Sequence, residues 1–494
     1  MLKRIRTILA AVVFILITLL FLDFTGTLHC WLSWLAKVQF LPAVMALNVV
    51  VVVALIAMTL IFGRIYCSVI CPLGVFQDIL ARFHRKKNKY GYSKEVRWLR
   101  YSVLVVFIIA LVAGVGSFFQ LFAPYSSYGR IATMIFQPIW MLGNNVLAVI
   151  AERADSYAFY SVDVWMKSLP VFIIALVTLI VLFVLAWRGG RTYCNTICPV
   201  GTTLSFFARF SWLKIRFDTD KCKNCSMCSR NCKAACIDYK THTVDYSRCV
   251  VCGNCISNCK FGALRYSGGN RRNSSENSNS SSGSVDAGKR SFLLASAMVA
   301  GAAMAQKKEK LMDGGLAEIE DKVTPERQTP LTPPGSLSYD NFSTRCTGCQ
   351  LCVSECPNNV LRPSGDLMHL MLPEMSYERG HCRPECTRCS EVCPAGAIKP
   401  IDKDEKSSIQ IGHAVWIKKN CVVLTDEVEC GNCARHCPSG AIEMVPLDPD
   451  NEESPMIPAI NEAACIGCGA CEYVCPSRPF SAIYVEGHEV HKKI

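Results

Sequence analysis

Twenty-four of the thirty cysteines in this chain fall into six groups of four, and that grouping limits the fold more than any other feature. Cys222, Cys225, Cys228 and Cys232 follow C-x2-C-x2-C-x3-C, and so do Cys249, Cys252, Cys255 and Cys259. Four more groups come later: Cys346, Cys349, Cys352, Cys356; Cys382, Cys386, Cys389, Cys393; Cys421, Cys430, Cys433, Cys437; and Cys465, Cys468, Cys471, Cys475. These last four groups all end in Cys-Pro, and two of them open on wider spacings, C-x3-C at Cys382 and C-x8-C at Cys421. Three thiolates in one tight loop reach three irons of a [4Fe-4S] cluster, while the fourth cysteine turns away and ligates the neighbouring cluster. Disulfide scaffolds suit short secreted chains, and zinc sites pair C-x2-C knuckles without the longer run. Six [4Fe-4S] clusters are therefore expected, with loops and brief elements wrapped around them in place of a large apolar core.

In the two regular motifs the exchange assigns one cluster to Cys222, Cys225, Cys228 and Cys259, and the other to Cys249, Cys252, Cys255 and Cys232. Cys236 is left over at a small-residue position and reads as packing. Lys233 and Lys260 stand where proline usually follows the fourth cysteine.

The apolar residues concentrate near the N-terminus, in runs at about 7–22, 43–62, 101–121 and 169–187. A bilayer core needs ~20 such residues, so four transmembrane helices are expected. Lys and Arg cluster at the start, after the second run and after the fourth, while the loops at about 23–42 and 122–168 are poor in base. The positive-inside bias then puts the N-terminus and residues 215–266 in the cytoplasm. The net charge of +12 follows from this topology. No base-reading or stacking face accompanies it, which argues against nucleic acid.

The membrane part repeats itself. Gly63-Arg64-Ile65-Tyr66-Cys67 to Cys71-Pro72-Leu73-Gly74 is matched by Gly190-Arg191-Thr192-Tyr193-Cys194 to Cys198-Pro199-Val200-Gly201. Each copy ends a helix hairpin in C-x3-C-P on the cytoplasmic side, so the two should meet as a pseudo-symmetric pair. Three roles fit Cys67, Cys71, Cys194 and Cys198: an additional iron, cluster or other metal, a redox-active dithiol, or simple shaping of helix ends. Cys30 reads as a buried thiol, and the adjacent His29 as a candidate contact for a quinone headgroup.

The expected fold is an α-helical membrane bundle of four helices joined to an α+β bacterial-type two-cluster ferredoxin domain and a second, four-cluster ferredoxin-like domain. Residues 1–214 form the membrane domain and 215–266 the two-cluster domain. A Ser/Asn-rich linker spans 267–288. Residues 289–306 read as a twin-arginine-like export signal, with Lys289-Arg290 for the pair, or as a fifth membrane segment. A connector at 307–337 leads to the four-cluster domain at 338–494. Nucleophile triads, phosphate-binding glycine loops and dinucleotide fingerprints are missing from the sequence, so the pattern suits a wire better than a reactor.

On these motifs, residues 1–266 resemble the NapH membrane ferredoxins and residues 288–494 resemble the NapG/MauM periplasmic ferredoxins. The resemblance implies a quinol-oxidising electron-transfer module in the bacterial inner membrane. Its partners would be lipid, quinone and a redox protein, either a reductase or a cytochrome, and residues 338–494 would be periplasmic. The likeness to four-cluster electron-transfer subunits implies nested exchange in that domain. One cluster would lie on Cys346, Cys349, Cys352 and Cys475, and its mate on Cys465, Cys468, Cys471 and Cys356. Another would lie on Cys382, Cys386, Cys389 and Cys437, and its mate on Cys421, Cys430, Cys433 and Cys393. Spacing alone leaves sequential exchange open. The competing reading is a membrane polyferredoxin for metalloenzyme maturation or redox sensing.

Overall fold

The computed structural model describes residues 2–83, 90–156, 158–268, 320–367, 369–451 and 454–494. The export-like segment at 289–306, nearly all of the linker and the first part of the connector lie outside the described residues.

Seven helices organise the bundle: α1 Leu2–Leu22, α2 Val49–Phe62, α3 Pro72–Leu80, α4 Arg97–Val112, α5 Pro124–Glu152, α6 Leu169–Gly189 and α7 Pro199–Ala208. Three of them, α1, α5 and α6, are long and apolar enough to cross a bilayer. The four uninterrupted spans expected from the sequence are not what the chain forms. The run at 43–62 breaks at Leu47, whose φ is +54°. The helix restarts where the Asn48 side chain accepts from the Val51 N–H at 3.3 Å. The run at 101–121 breaks at Gly114, φ +71°, and resumes at Gly116–Phe122.

The third correction is α5, which lies in a stretch read as an outer loop. Its first eight residues, Pro124–Ile131, are all buried although five of them are Tyr, Ser or Arg. Polar residues hid the helix from a hydropathy reading, and packing inside the bundle then satisfied them. The Arg130 guanidinium donates to the Gln120 and Leu121 carbonyls, and the Tyr128 and Thr18 hydroxyls lie 2.5 Å apart. A π-turn at Ala132–Phe136 precedes Pro138, the local adjustment a proline forces by removing one ladder hydrogen bond.

The two repeat copies meet reciprocally. The Arg64 Nη2 donates to the Cys194 carbonyl at 3.0 Å, and Arg191 donates to the Cys67 carbonyl. Proline at the first helical position opens α3 and α7 in the same way. Gly74 and Gly201 admit this contact, because a Cβ on them would come within 2.2 and 2.3 Å of the Cys67 and Cys194 carbonyl oxygens. Asp78 on α3 ties the assembly together, with Arg6 at 3.2 Å, Arg191 at 2.9 Å and Lys233 at 3.3 Å. Breaking a buried network of this kind costs about 3–5 kcal/mol.

The remaining chain forms two small domains whose sheets, among the described residues, are all two-stranded. In the first, Leu213–Phe217 pairs antiparallel with Leu264–Gly268. In the second, Ile409–Trp416 pairs with Ile483–Lys493, Ile442–Pro446 with Met456–Ile460, and Leu361–Pro363 with Pro373–Met375. Cysteines make up nearly half of the first domain's interior, whereas that of the second is mostly aliphatic with cysteines set among the aliphatic residues.

These domains sit at opposite ends of α1, which at 1.5 Å per residue is ~31 Å long. At its start, Lys3 lies against Gly253 and Arg6 reaches Asp78. Just past its end, His29 Nε2 lies 3.2 Å from Glu391 Oε2. The second domain also docks on the start of α5 and the segment before it. The Gln120 amide donates to the Cys346 carbonyl at 3.0 Å and the Ser126 hydroxyl to the Thr347 carbonyl. Gly129 packs on the Cys349 carbonyl, where a Cβ would lie 2.1 Å from the oxygen.

Candidate iron–sulfur sites and an adjoining cavity

Four of the six motif loops repeat one local shape. A residue in the left-handed region (Ser226, Gly253, Gln350 or Gly469) starts a short helix that carries the third cysteine of its motif. The turn lets three thiols face one point, while the fourth cysteine, past the helix, faces elsewhere.

Cys222, Cys225, Cys228 and Cys259 line one small cavity with Phe217, Tyr239 and Leu264. The Cys232 thiol lies among Cys249, Cys252 and Cys255. The leftover Cys236 is buried, its sulfur 3.5 Å from that of Cys232, and hydrogen bonding from Cys236 holds the Cys232 thiol below the usual thiol range.

In the second domain the exchange is sequential, and the nested expectation is corrected. Cys356 joins Cys382, Cys386 and Cys389 around one cavity, and Cys393 lies beside Cys346, Cys349 and Cys352. Cys475 joins Cys421, Cys430 and Cys433, and Cys437 lies with Cys465 and Cys468, which neighbour Cys471. Neighbouring motifs swap their fourth cysteines because the chain closes each pair before moving on. The two pairs then meet where the Cys382 N–H donates to the Cys468 carbonyl at 3.0 Å. The tetrads thus run outward from the bundle, beginning at the one that contains Cys349.

A cavity of about 370 Å³ opens beside Cys356. Phe24, Met134, Ile135, Trp165, Met166 and Phe172 make its walls apolar. Gln137 and Lys167 supply a polar end, where Lys167 Nζ donates to Gln137 Oε1 at 3.1 Å and to the Val353 carbonyl at 3.2 Å. Burial pulls the Lys167 ammonium down to about 8. The sequence reading missed this cavity, since its lining is split between a hidden helix, the loop before α6 and a cysteine motif. Pro138, the only proline within α5 after its first residue, was the one local signal.

His29 is not among the residues lining that cavity. It forms a buried group with Asp23 and Glu355 whose ligand atoms lie within 4.8 Å of one another, and burial together with Asp23 pushes the Glu355 carboxyl up to about 8. Cys30 is exposed, because the helix His29–Lys37 turns it away from the bundle; this corrects the reading of a buried thiol.

Sites of four converging sulfurs, repeated in two small domains on a helical bundle, define an iron–sulfur protein of the ferredoxin type. Comparison agrees. A family described as 4Fe-4S binding domain matches residues 44–90 and 170–219, and two families described as 4Fe-4S dicluster domains match residues 248–361 and 428–478. The methylamine utilization ferredoxin-type protein MauM of Methylobacillus flagellatus is 31% identical over 166 residues, 33% of this chain and 70% of the relative. MauM of Paracoccus denitrificans is 31% identical over 173 residues, 32% of this chain and 73% of the relative. The ferredoxin-type protein NapF of Escherichia coli K12 is 29% identical over 162 residues, 32% of this chain and 87% of the relative. No solved structure matches. Through that third of its length the chain belongs to the MauM family of ferredoxin-type proteins, and it is an iron–sulfur electron-transfer protein.

Proposed function

We propose that the chain relays electrons across the bacterial cytoplasmic membrane, between the quinone pool or a cytoplasmic donor and an extracytoplasmic oxidoreductase. In this reading residues 1–266 serve as a NapH-type membrane half, and residues 338–494 as a periplasmic NapG/MauM-type half. The observation that carries it is the docking of two cysteine-rich domains on opposite ends of one bundle whose helices are long enough to cross a bilayer. Exposed Trp31 and Trp34 at one end, and Trp98 and Trp212 at the other, suit the two lipid interfaces.

The donor sets fit the cofactor. Each tetrad gathers four sulfurs in a small, mostly apolar space, and the six sites are those of the sequential arrangement above. Clusters bound there supply one-electron transfer, with potentials tuned by charge, hydrogen bonds and exposure. The Cys430 and Cys433 loop, with exposed Val428 nearby, suits contact with a reductase or cytochrome.

The apolar cavity beside Cys356 suits a quinol, its ring at the Gln137 and Lys167 end and its chain along Met134, Ile135 and Phe172. Filling it with Met134→Trp is expected to raise the KM for a soluble quinol by at least about tenfold, equivalent to about 1.4 kcal/mol, because the indole takes up space the quinol needs, while iron content stays unchanged. Unaltered quinol kinetics would remove the cavity from the reading.

Sidedness tests the relay itself. On intact spheroplasts an added protease is expected to cut within residues 338–494 and to leave residues 213–268 whole until the membrane is opened. Cleavage of both domains from the same side would overturn the proposal.

A further inference from the structure

Where the second domain meets the end of α1, three side chains outside the cysteine tetrads are buried together. Asp23 and His29 belong to the segment after α1, and Glu355 comes from the second domain, one residue before Cys356. Asp23 is 6% exposed, and the side chains of His29 and Glu355 are 7% and 0% exposed. One ligand atom from each lies within 4.8 Å of the other two, and His29 Nδ1 stands 3.9 Å from Glu355 Oε2. From these residues we infer a divalent metal site, with zinc as its occupant, that pins the second domain to the bundle. The site stands apart from the relay and does not depend on which way electrons run.

The ligand atoms lack other partners. Both Glu355 oxygens and His29 Nδ1 are buried without a hydrogen bond. A buried carboxyl in that condition is costly in either protonation state, because a proton removes the charge and still leaves the oxygens unpaired. An imidazolium at His29 does not answer this, since 3.9 Å is beyond hydrogen-bond reach. The Arg388 guanidinium acts on Glu355 at longer range and donates to the Thr25 carbonyl at 3.4 Å. A cation bonded to Glu355 and to His29 Nδ1 satisfies both at once.

The surroundings orient these ligands as metal sites do. A metal-bound histidine gives its other ring N–H to a carboxylate or carbonyl, and ligating carboxylates are themselves hydrogen-bonded. His29 Nε2 lies 3.2 Å from Glu391 Oε2, and the Thr387 hydroxyl donates to Glu391 Oε1 at 2.5 Å. The Cys30 sulfur, 3.4 Å from the same ring nitrogen, is the weaker partner. With its proton on Nε2, the ring keeps a bare lone pair at Nδ1. Asp23 Oδ1 accepts from the Thr25 N–H, the Thr25 hydroxyl and the Gly26 N–H, and Oδ2 from the Leu28 N–H alone. The loop is thus wound around this carboxylate and fixes it, and Oδ2 retains a lone pair for a metal.

One imidazole nitrogen with two carboxylates suits a first-row divalent ion better than calcium or magnesium, and zinc outcompetes manganese and iron(II) for such donors. Zinc bonds of ~2.0–2.2 Å set two ligand atoms of a tetrahedron about 3.3 Å apart, so a small inward movement of Glu355 seats the ion. A cavity of about 420 Å³, lined in part by His29, Pro357, Arg388 and Glu391, adjoins the group. It supplies the entry path and a water for the fourth position. The ligands come from both sides of the seam, so the ion cross-links the segment after α1 to the loop that carries Cys356. Zinc has no redox chemistry, and the pin carries no electron.

The test uses the full-length, cluster-loaded chain, purified anaerobically in detergent. Metal analysis is expected to find about one zinc per chain besides the iron, and Glu355→Gln is expected to lose it with the iron unchanged. Zinc held on stray thiols would survive that change. Manganese(II), which favours oxygen and nitrogen over thiolate, is the second probe. After chelator treatment its paramagnetic signal is expected to report about one saturable site, with affinity at least about tenfold weaker in Glu355→Gln. Glu391→Gln keeps all three ligands and is expected to weaken binding about 10–100-fold through His29. Chelation is expected to lower the thermal unfolding temperature of wild type and added zinc to restore it, while Glu355→Gln responds to neither. A wild-type chain without zinc, no saturable manganese(II) site, equal manganese(II) affinity in wild type and Glu355→Gln, or a chelated chain that melts like the untreated one would each overturn the inference. If Glu355→Gln fails to fold, the wild-type metal content and the Glu391→Gln affinity decide. Low iron beside an intact manganese(II) site would sink the cluster reading and leave this one standing.

Discussion

Cys346→Ala and Cys393→Ala, made singly, are each expected to remove about four irons, and the double variant no more than either alone. The reason is that the structure sets Cys393 beside Cys346, Cys349 and Cys352, so both changes strike one site. Nested exchange puts these two cysteines on different clusters, and the double variant would then lose about eight irons. Stability should fall with the iron. Cys346 and Cys352 lie in the interior of the second domain together with Phe342, Val353 and Tyr377, and metal binding in such small domains is itself folding free energy. The checks are iron and sulfide analysis together with thermal unfolding in detergent. Additive loss of iron in the double variant would restore the nested arrangement.

Gly129→Ala is expected to uncouple the second domain from the bundle while leaving its clusters loaded. The added Cβ would lie 2.1 Å from the Cys349 carbonyl oxygen and 3.0 Å from the Phe21 ring. A backbone carbonyl inside a cysteine loop cannot swing aside as a flexible side chain can, so the whole loop has to back away. That retreat lengthens the gap an electron has to cross, so slower electron passage between the domains is expected. Gly143 on the same helix is the control, since a Cβ there meets nothing within 4 Å. Stopped-flow reduction from one side, followed through cluster absorbance, measures both variants. Equal rates in the two would mean that the contact at Cys349 has no part in the coupling.

Some of this was legible in the residues and some was not, for reasons that differ by element. Cysteine spacing reports loop geometry directly, so the six groups and the C-x3-C-P repeat stand out from the sequence. Which motif lends its fourth cysteine to which depends on how the chain folds back over tens of residues, and spacing carries nothing about that. The membrane part misled for a different reason. Hydropathy finds helices that face lipid, but Tyr125, Ser126, Tyr128 and Arg130 face protein, so the start of α5 reads as loop. Leu47 and Gly114 interrupt apolar runs that look continuous, because a left-handed residue leaves little trace in hydropathy. The cavity beside Cys356 draws its walls from segments more than 300 residues apart in the chain, from Phe24 to Asn359, and no local pattern could announce it.

The docking of Cys346, Thr347 and Cys349 through their carbonyls onto Gln120, Ser126 and Gly129 carries a consequence for biogenesis. With that face closed, Cys346, Cys349 and Cys352 are buried and Cys393 alone of the group stays partly exposed. On the proposed reading, iron and sulfide reach this site more readily before the domain docks than after.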